Sequence, residues 1–474
     1  MDRLEFLQHL GAIGTGAILA PDAWKRNTST PEFPVVRKPK DQRNFSSTAI
    51  EKAISDFKAK VKDPELGWLF ENCFPNTLDT TVFLKSKGKE PDSYIITGDI
   101  DAMWLRDSTA QIWPYLPFMK SDPALQNLVA GVIHRQTRCI LNDPYANAFY
   151  DDESKISEWK DDLTEMKPGI HERKWEIDSL CYPIRLAYHY WKNSNDTTPF
   201  NESWKQGIQN TLRVFKEQQR KNGNGPYTFQ RTTSWATDGV PLSGYGYPVK
   251  PVGLICSMFR PSDDATIFPF LIPSNFFAVV NLKQAAKMTR AISHDTTLAD
   301  ALLSLAKEVE TALSVYATVD HVEFGKVFAY EVNGMGSFNL MDDANIPSLL
   351  SLPYLGAVEA DNKVYQNTRK LLLSDSNPFY FKGKVGEGIG GPHAGMEMIW
   401  PLSVIIRGLT SRNDDEVKKC IQTLKSCHGG TGFMHESFHK DDATKFTRKW
   451  FAWANTIFGE FLWNTYLTKP HLLS

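Results

Sequence analysis

The chain has 474 residues, of which 42% are hydrophobic and 23% are charged, a balance typical of folded globular proteins and not of disordered or fibrous ones. With 53 basic and 55 acidic residues, its formal charge of -2 provides no net field to attract nucleic acid or an anionic bilayer, so we expect neither partner. Many of the 13 Trp, 16 Tyr and 28 Phe residues stand beside acids and glycines, an arrangement that suits sugar faces, although most are expected to fill the core.

The first residues of the chain have some features of a secretory signal peptide. The apolar stretch 10–20 is too short to span a bilayer and ends in small residues. Against export, Asp2 and Glu5 dilute the basic region, and Pro21 directly follows the cleavage position. We expect a candidate signal peptide over 1–24 and an exported, periplasmic or extracellular protein; without cleavage the protein would be cytoplasmic.

Helical periodicity dominates the rest of the chain. Residues 25–45 are rich in Pro, Lys, Thr and Ser without an apolar period, and we expect a linker there and one folded domain over 46–474. Within that domain, apolar residues at spacings of three and four predict a series of helices. The predicted helices span 48–62, 123–141, 179–192, 204–220, 275–293, 297–317, 363–373, 415–426 and 454–467.

Long loops separate these predicted helices. The loops 227–264 and 377–396 are rich in Gly, Pro and aromatic residues, and loops of this length inside a compact domain are usually functional. Strand-like alternation is short, as in 322–331, which argues against a doubly wound sheet. The pattern predicts an all-α toroid of helical hairpins with long loops at the active-site end; an α-solenoid is the alternative, although no fixed-period repeat is present.

The cysteines do not form a metal-binding or redox motif. None of the six is part of a C-x-x-C pair, and we expect small core residues that say nothing about the compartment. They are Cys73, Cys139, Cys181, Cys256, Cys420 and Cys427.

Residues 97–108 form the densest polar-aromatic cluster. Three acids, Arg106 and Trp104 lie within eleven residues, more charge than a buried segment holds unless the groups pair or bind a ligand. Asp101 and Asp107 could bind sugar hydroxyls while Trp104 stacks on a ring face. A capped helix start with a local salt bridge explains the same residues equally well.

Two adjacent acids, Asp263 and Asp264, end the first long loop. After Pro-Ser, such acids commonly cap a helix. Because the loop would present them at its mouth, a carboxyl shielded from water there could keep its proton and act as a general acid.

Residues 429–439 contain the pattern H-E-x-x-H, formed by His435, Glu436 and His439. In zinc peptidases this pattern places two histidines on one face of a helix, and Glu460 could supply a third ligand. Three glycines in the four residues before Phe433 disfavour a helix, so a zinc site is the weaker interpretation.

Two further groups of residues have both a structural and a functional interpretation. His393 follows a glycine-rich loop and is more often a structural histidine than a catalyst. Asp178 is expected to cap the helix 179–192, although Glu176 or Asp178 could instead face a pocket.

Several segments together resemble glycoside hydrolase family 125, in the same order from about residue 46 to residue 467. They are TGDIDAMWLRDSTAQIWPYLP, WEIDSLCYPIRLAYHYW, MFRPSDDATIFPFLIPSN, GTGFMHESFHKDD and FTRKWFAWANTIFGEF. The resemblance implies an (α/α)6 barrel, without metal or other cofactor, that removes terminal α-1,6-linked mannose from a mannose-containing oligosaccharide with inversion. A glucoside-directed hydrolase, a zinc peptidase and a non-catalytic sugar-binding barrel are the alternatives. The sequence does not indicate an oligomeric state.

The resemblance also implies roles for individual residues. The general acid falls on Asp263, with Asp264 one position away as its rival, and the general base falls on Glu436. The terminal sugar would be held by Asp101, Trp104, Arg106, Asp107, His393 and His435. An inverting hydrolase needs its two carboxyl groups about 6.5 to 9.5 Å apart, one donating a proton to the leaving oxygen and the other activating water.

Overall fold

Thirteen α-helices make up most of the regular structure in the computed structural model, which describes residues 33–473. All nine predicted helical stretches are helices, and α2, α3, α4 and α11 are additional. The helices are α1 (Thr48–Lys60), α2 (Pro64–Cys73), α3 (Asn76–Thr80), α4 (Leu105–Ile112), α5 (Pro123–Asn142), α6 (Ile177–Ser194), α7 (Glu202–Gln218), α8 (Ile272–Ala291), α9 (Thr296–Tyr316), α10 (Lys363–Leu372), α11 (Pro401–Leu409), α12 (Asp414–Cys427) and α13 (Ala452–Thr468). Among residues 33–473, no helix is both long and apolar enough to cross a membrane.

The strands are short and pair only with near neighbours. They form six antiparallel sheets of two or three strands in this part of the chain, in the orders β1-β2, β3-β4-β5, β10-β9-β6, β7-β8, β11-β12 and β13-β14-β15. The strands are β1 (Val82–Lys87), β2 (Glu90–Ile95), β3 (Met103–Trp104), β4 (Ala148–Phe149), β5 (Ile170–Glu172), β6 (Phe270–Leu271), β7 (Thr318–His321), β8 (Gly325–Phe328), β9 (Glu331–Val332), β10 (Phe338–Asn339), β11 (Tyr380–Lys382), β12 (Glu387–Ile389), β13 (Met398–Ile399), β14 (Ser437–His439) and β15 (Asp442–Thr447). In the longest pair, Val82 of β1 lies opposite Ile95 of β2.

Five helices and one irregular segment form the inner wall of the barrel. Helix α4 packs against α6 and α13, α6 packs against α8, and α11 packs against α13. Residues 346–354 contribute the irregular segment, in which Ile346 O accepts a hydrogen bond from Tyr182 of α6 and Tyr354 donates one to Glu460 of α13. The inner helices are buried on most faces, and α13 exposes few side chains.

The outer helices are buried on one face only. Helix α9 packs against α8 and α12 against α11, while α7 packs against its outer neighbour α5. In α9 the apolar residues at spacings of three and four form the buried face, with Leu303 at its partly buried edge. This pairing of inner and outer helices is the helical toroid that the periodicity predicts.

Three inner helices begin two or three residues earlier than predicted. Helix α6 starts at Ile177, so Asp178 lies in the first turn, and its side chain contacts Arg106 and is not an N-cap. Helices α8 and α13 likewise start at Ile272 and Ala452. In α6 the buried polar residues Asp178 and Ser179 occupy the first turn and interrupt the apolar period on which the prediction depends.

The candidate signal peptide 1–24 and the first part of the expected linker lie outside the described residues. From Val35 onward the chain belongs to the same compact unit as the barrel. Arg37 lies 2.7 Å from Asp79 and 2.5 Å from Glu51, so the last part of the expected linker 25–45 is bound to the barrel by ion pairs. The ion pairs that hold this segment leave no apolar period in the sequence, so helical periodicity does not reveal the attachment.

All six cysteines are buried and unpaired. Burial raises the pKa of each thiol, and that of Cys420 reaches about 12. The cysteines are therefore the small core residues that their spacing predicts.

Candidate active site

The loops that precede the inner helices meet at one end of the barrel. The segments before α4, α6, α8, α11 and α13 are 97–104, 170–176, 258–271, 387–400 and 434–451, which include the motif segments of the sequence. Backbone hydrogen bonds of 3.0 to 3.1 Å join neighbouring loops, namely Ala452 N to Thr97 O, Met258 N to Trp175 O and Ala344 N to Gly390 O. Because helix amino termini carry partial positive charge, this end of the barrel stabilises carboxylates.

Arg106, in the first turn of α4, is the centre of a buried ion-pair cluster. Its Nη1 atom lies 2.6 Å from Glu176 Oε2 and 3.2 Å from Asp178 Oδ2. Its Nη2 atom lies 3.5 Å from Asp263 Oδ1, and its Nε atom lies 3.4 Å from Asp107 Oδ2. Burial raises the pKa of Glu176, and it raises the pKa of Asp178 to about 6 even though Arg106 acts in the opposite direction.

Asp263 is at the tip of a tight turn. Its backbone is left-handed, with φ of 68°, a conformation uncommon outside glycine but tolerated by aspartate. The Asp263 N–H donates to Arg260 O over 2.9 Å, and Lys174 Nζ donates to Asp263 O over 2.9 Å. The side chain remains 24% exposed, unlike those of the other acids around Arg106. The turn therefore presents this carboxyl to the mouth of the barrel.

Asp264 points into the protein. Its side chain is 2% exposed, and its Oδ1 atom accepts a hydrogen bond of 2.6 Å from Thr237 and lies 3.8 Å from Nδ1 of His393. Burial alone would raise the pKa of Asp264, but His393 and Thr237 lower it below its usual value. The His393 ring also packs against Trp400, with ring centroids 6.0 Å apart. Asp264 and His393 thus form a buried pair behind the turn of Asp263.

Glu436 lies just before β14, with its side chain 9% exposed. The Nη1 atom of Arg448 is 3.7 Å from Glu436 Oε1. The carboxyl of Asp107, adjacent to Arg106, interacts electrostatically with both Asp263 and Arg448. Burial raises the pKa of Asp107, whereas the two arginines lower it. A row of alternating charges therefore runs from Asp263 through Arg106, Asp107 and Arg448 to Glu436.

Trp104 borders this row, and Asp101 does not belong to it. Trp104 is 6% exposed and packs with Ala102 and Ala148, and its ring meets the His171 ring edge to face, with ring centroids 5.1 Å apart. The side chain of Asp101 is 63% exposed and pairs with Lys155 at 2.8 Å. Asp101 is thus on the outer rim, because successive residues of this extended segment point in opposite directions.

The H-E-x-x-H residues are not arranged as a zinc site. His435 precedes β14 and His439 ends it, so the two histidines do not share a helical face. The His435 ring stacks on Phe446 at 3.6 Å, and His439 lies 3.5 Å from Glu397. Glu460 binds Trp113 and Tyr354 deeper in the barrel. No cluster of three metal-ligating side chains occurs within residues 33–473.

Sequence reasoning missed the cations that surround the acids. Arg448 also donates from Nε to Asp99 Oδ1 over 2.8 Å, which links the last motif to the first. Lys174 is buried 2.5 Å from Asp238, and Arg231 lies 2.9 Å from Glu172. Arg448 and Lys174 both lie in or next to a quoted motif, but their partners are distant in sequence and no local spacing reveals them.

The mouth of the barrel thus holds carboxyl groups from separate loops, and a pair of carboxyl groups is what most glycoside hydrolases use as acid and base. Tryptophan at the border and charged groups at the floor suit a polar sugar ring. Among the predicted residues, Asp263, Glu436, Trp104, Arg106, Asp107, Asp264, His393 and His435 lie at this end of the barrel, with Asp101 at its rim.

Solved structures confirm the barrel fold. A metal-independent alpha mannosidase of Streptococcus pneumoniae, in a non-productive complex with alpha-1,6-mannobiose, is 39% identical, covers 90% of this chain and 100% of its own, and has a TM-score of 0.86. A glucoamylase of Saccharomycopsis fibuligera covers 91% of this chain and 99% of its own with a TM-score of 0.52, and at 12% identity it supports the fold alone. The chain is an (α/α)6 barrel.

The family is established by sequence. The meiotically up-regulated gene 157 protein of Schizosaccharomyces pombe is 42% identical over 449 residues, which cover 91% of this chain and 88% of that protein. A family model described as metal-independent alpha-mannosidase (GH125) matches residues 63–463. The predicted resemblance is confirmed: this chain is a glycoside hydrolase and belongs to family 125, the metal-independent α-mannosidases.

Proposed function

We propose that this α-mannosidase is an exo-acting, inverting enzyme that removes terminal α-1,6-linked mannose from mannosides or N-glycan fragments, with Asp263 as general acid and Glu436 as general base. The α-1,6 linkage is favoured because the Streptococcus pneumoniae relative was solved with alpha-1,6-mannobiose. The observation that carries the proposal is the row of charges from Asp263 to Glu436, which joins two carboxyls of distant loops at one barrel mouth.

Asp263 is better suited than Asp264 to donate a proton. Its carboxyl is 24% exposed, so a glycosidic oxygen can reach it. Asp264 is 2% exposed and already accepts a hydrogen bond from Thr237. The lowered pKa of Asp264 keeps it ionised, and an ionised carboxylate cannot act as an acid. We assign Asp264 to holding the turn.

Glu436 is suited to activating water. Its Oε1 atom lies 3.7 Å from the guanidinium of Arg448, and a carboxylate held at the mouth of the barrel can accept a proton from water. Water loses its proton to Glu436 and attacks C1 of the mannose. The bond from C1 to the glycosidic oxygen breaks as Asp263 protonates that oxygen, and the anomeric configuration inverts.

The remaining predicted residues are proposed to hold the terminal sugar. Arg106 and Asp107 provide a charged floor, and Trp104 provides an aromatic wall. The buried ring of His435 and the largely buried ring of His393 are proposed to lie behind this pocket. Asp101, on the rim, is proposed to contact only a bound oligosaccharide that extends outward.

The test compares wild type with Asp263→Asn, Asp264→Asn and Glu436→Gln. Proton NMR follows the product anomer from α-1,6-, α-1,3- and α-1,2-mannobiose and from an α-1,6-linked glucose disaccharide. We expect β-mannose first, from the α-1,6-mannobiose. Mutating one catalytic carboxyl typically costs 10²- to 10⁴-fold, so we expect losses of about that size for Asp263→Asn and Glu436→Gln.

A substrate with an activated leaving group separates the two aspartates. A dinitrophenyl α-mannoside needs little protonation of its leaving oxygen, so Asp263→Asn should hydrolyse it far better than it hydrolyses mannobiose. Asp264→Asn should lose activity equally on both substrates. The reverse result would move the acid role to Asp264, and α-mannose as first product would refute inversion.

A further inference from the structure

The cluster around Arg106 holds more acids than its single positive charge can balance. Glu176 and Asp178, both with fully buried side chains, share the Nη1 atom at 2.6 and 3.2 Å. The second oxygen of each, Glu176 Oε1 and Asp178 Oδ1, has no hydrogen-bond partner among the described residues. Burying two ionised carboxyl groups beside one guanidinium costs free energy, and the cost falls if the two groups retain a proton between them.

The Arg106 guanidinium is closer to this pair than to the acid at the mouth. Its distance to Asp263 Oδ1 is 3.5 Å, against 2.6 Å to Glu176. Ser179 Oγ donates to Glu176 Oε2 over 2.7 Å and fixes that carboxyl against Arg106. Arg106 therefore contacts Glu176 and Asp178 more closely than it contacts Asp263.

We propose that Glu176 and Asp178 are positioning residues that neutralise Arg106 and thereby let Asp263 keep its proton at the pH of catalysis. Without them, an uncompensated guanidinium 3.5 Å from Asp263 would favour its ionised form, which cannot protonate a leaving group. This proposal rests on the acid role proposed for Asp263.

The other groups that face Asp263 do not replace this pair. Asn147 Nδ2 lies 3.5 Å from the same oxygen and is neutral, and Lys174 reaches only the backbone oxygen while pairing with Asp238. Asp107 adds a carboxyl on the far side of Arg106, and burial raises its pKa. Burial also lowers the pKa of the nearby His171, so this ring adds no charge near neutrality. Glu176 and Asp178 are the acids that contact Nη1 of Arg106 directly.

The experiment measures kcat/KM against pH with α-1,6-mannobiose. The double variant Glu176→Gln, Asp178→Asn removes the negative charge whichever residue carries it. We expect the fall in activity on the alkaline side to move to lower pH by about one to two units, the effect of one nearby charge at an effective dielectric constant of about 20. Each single variant should move it in the same direction by less, and the singles carry the test if the double variant does not fold.

One control variant separates this role from mere folding. Glu416→Gln removes a carboxylate that pairs with Arg369 and Arg407 away from the mouth, and its alkaline limb should stay at the wild-type pH. A loss of kcat at all pH values without a shift in the limb, in variants that fold, would make Glu176 and Asp178 purely structural and overturn the proposal.

The dinitrophenyl α-mannoside distinguishes failure of this proposal from failure of the acid assignment. If Asp263 is the acid, kcat/KM for this substrate should fall only slightly on the alkaline side of the pH profile in every variant. If Asp263→Asn fails to retain activity on it, the acid assignment itself is wrong. If Asp263→Asn retains that activity but the Glu176 and Asp178 variants leave the mannobiose profile unchanged, only the present proposal is refuted.

Discussion

The guanidinium of Arg448 lies 3.7 Å from the Glu436 carboxylate and also ion-pairs with Asp99, so one side chain joins the last sequence motif to the first. Arg448 has a left-handed backbone, with φ of 43°, as Asp263 does with φ of 68°. Such conformations cost roughly 1 to 3 kcal/mol each for a non-glycine residue and persist where the surroundings impose them. Strained backbone therefore holds Asp263, at one end of the charge row, and Arg448, next to Glu436 at the other end.

Replacing Arg448 should weaken the enzyme. Arg448→Gln removes the guanidinium that lies beside Glu436 and pairs with Asp99, so kcat/KM on α-1,6-mannobiose should fall about ten-fold or more. Arg448→Lys should restore part of the loss. Arg412→Gln, which removes an exposed ion pair with Asp361, is the matched control and should leave kcat/KM unchanged. A wild-type kcat/KM in a folded Arg448→Gln enzyme would contradict the proposed role.

Metal chelation should leave activity intact. His435 precedes β14 and His439 is the last residue of that strand, where it pairs with Glu397 at the surface. We expect full activity after dialysis against EDTA and in His439→Ala, measured on α-1,6-mannobiose. Recovery of lost activity by added zinc would revive the peptidase-like interpretation of H-E-x-x-H.

Helical periodicity in the sequence predicted the outer helices well but did not predict the active-site helix α4. Helix α9 buries its apolar stripe as expected, because one face meets the core and the other meets water. Every residue of α4 is buried, including Arg106, Asp107 and Gln111, so its sequence has no apolar period to detect. Some of its buried polar atoms have partners outside the helix: Arg106 donates to Glu176 and Gln111 donates to Ile96 O. Helical periodicity does not reveal such partners.

The sequence predicted the acidic residues of the site but not their arrangement. The motifs contain Asp263 and Glu436, but the sequence could not decide between Asp263 and its neighbour Asp264 as the acid. The structure separates them, because the left-handed turn at Asp263 leaves its carboxyl partly exposed while that of Asp264 is buried. Arg448 was overlooked because a single arginine in a motif has no spacing signal. Long-range ion pairs of this kind depend on the closed barrel.

Stability should rise with pH partly through His435. Burial lowers the pKa of this histidine to about 4, below its ordinary value of 6.5. Between these pH values the unfolded state binds more protons than the folded state, so the free energy of unfolding increases with pH across that window and loses up to about 3 kcal/mol as pH falls through it. His189, lowered to about 4 as well, contributes in the same direction.

Urea unfolding from pH 4 to 7 measures this effect. His435→Gln should show a smaller change in unfolding free energy across the window than wild type, whatever its absolute stability. His471→Gln, at an exposed histidine that pairs with Asp414, should keep the wild-type slope. An unchanged slope in His435→Gln would mean that this ring is readily protonated in the folded protein.

Gly98 should be irreplaceable even by alanine. Its φ of 137° strains any side chain, and a Cβ atom there would lie 2.2 Å from the backbone oxygen of Trp450. That oxygen accepts a hydrogen bond from Asp99 N, which holds the first motif against the Arg448 loop. Gly98→Ala should therefore lower the free energy of unfolding by several kcal/mol, at the upper end of single substitutions, and reduce kcat/KM by displacing Arg448 from Glu436.

Gly430→Ala is the control, since its φ of 78° adds strain of about 1 to 2 kcal/mol but no atom lies within 4 Å of the new Cβ. Equal destabilisation of the two variants, measured by urea unfolding, would show that the contact with Trp450 does not hold these loops together.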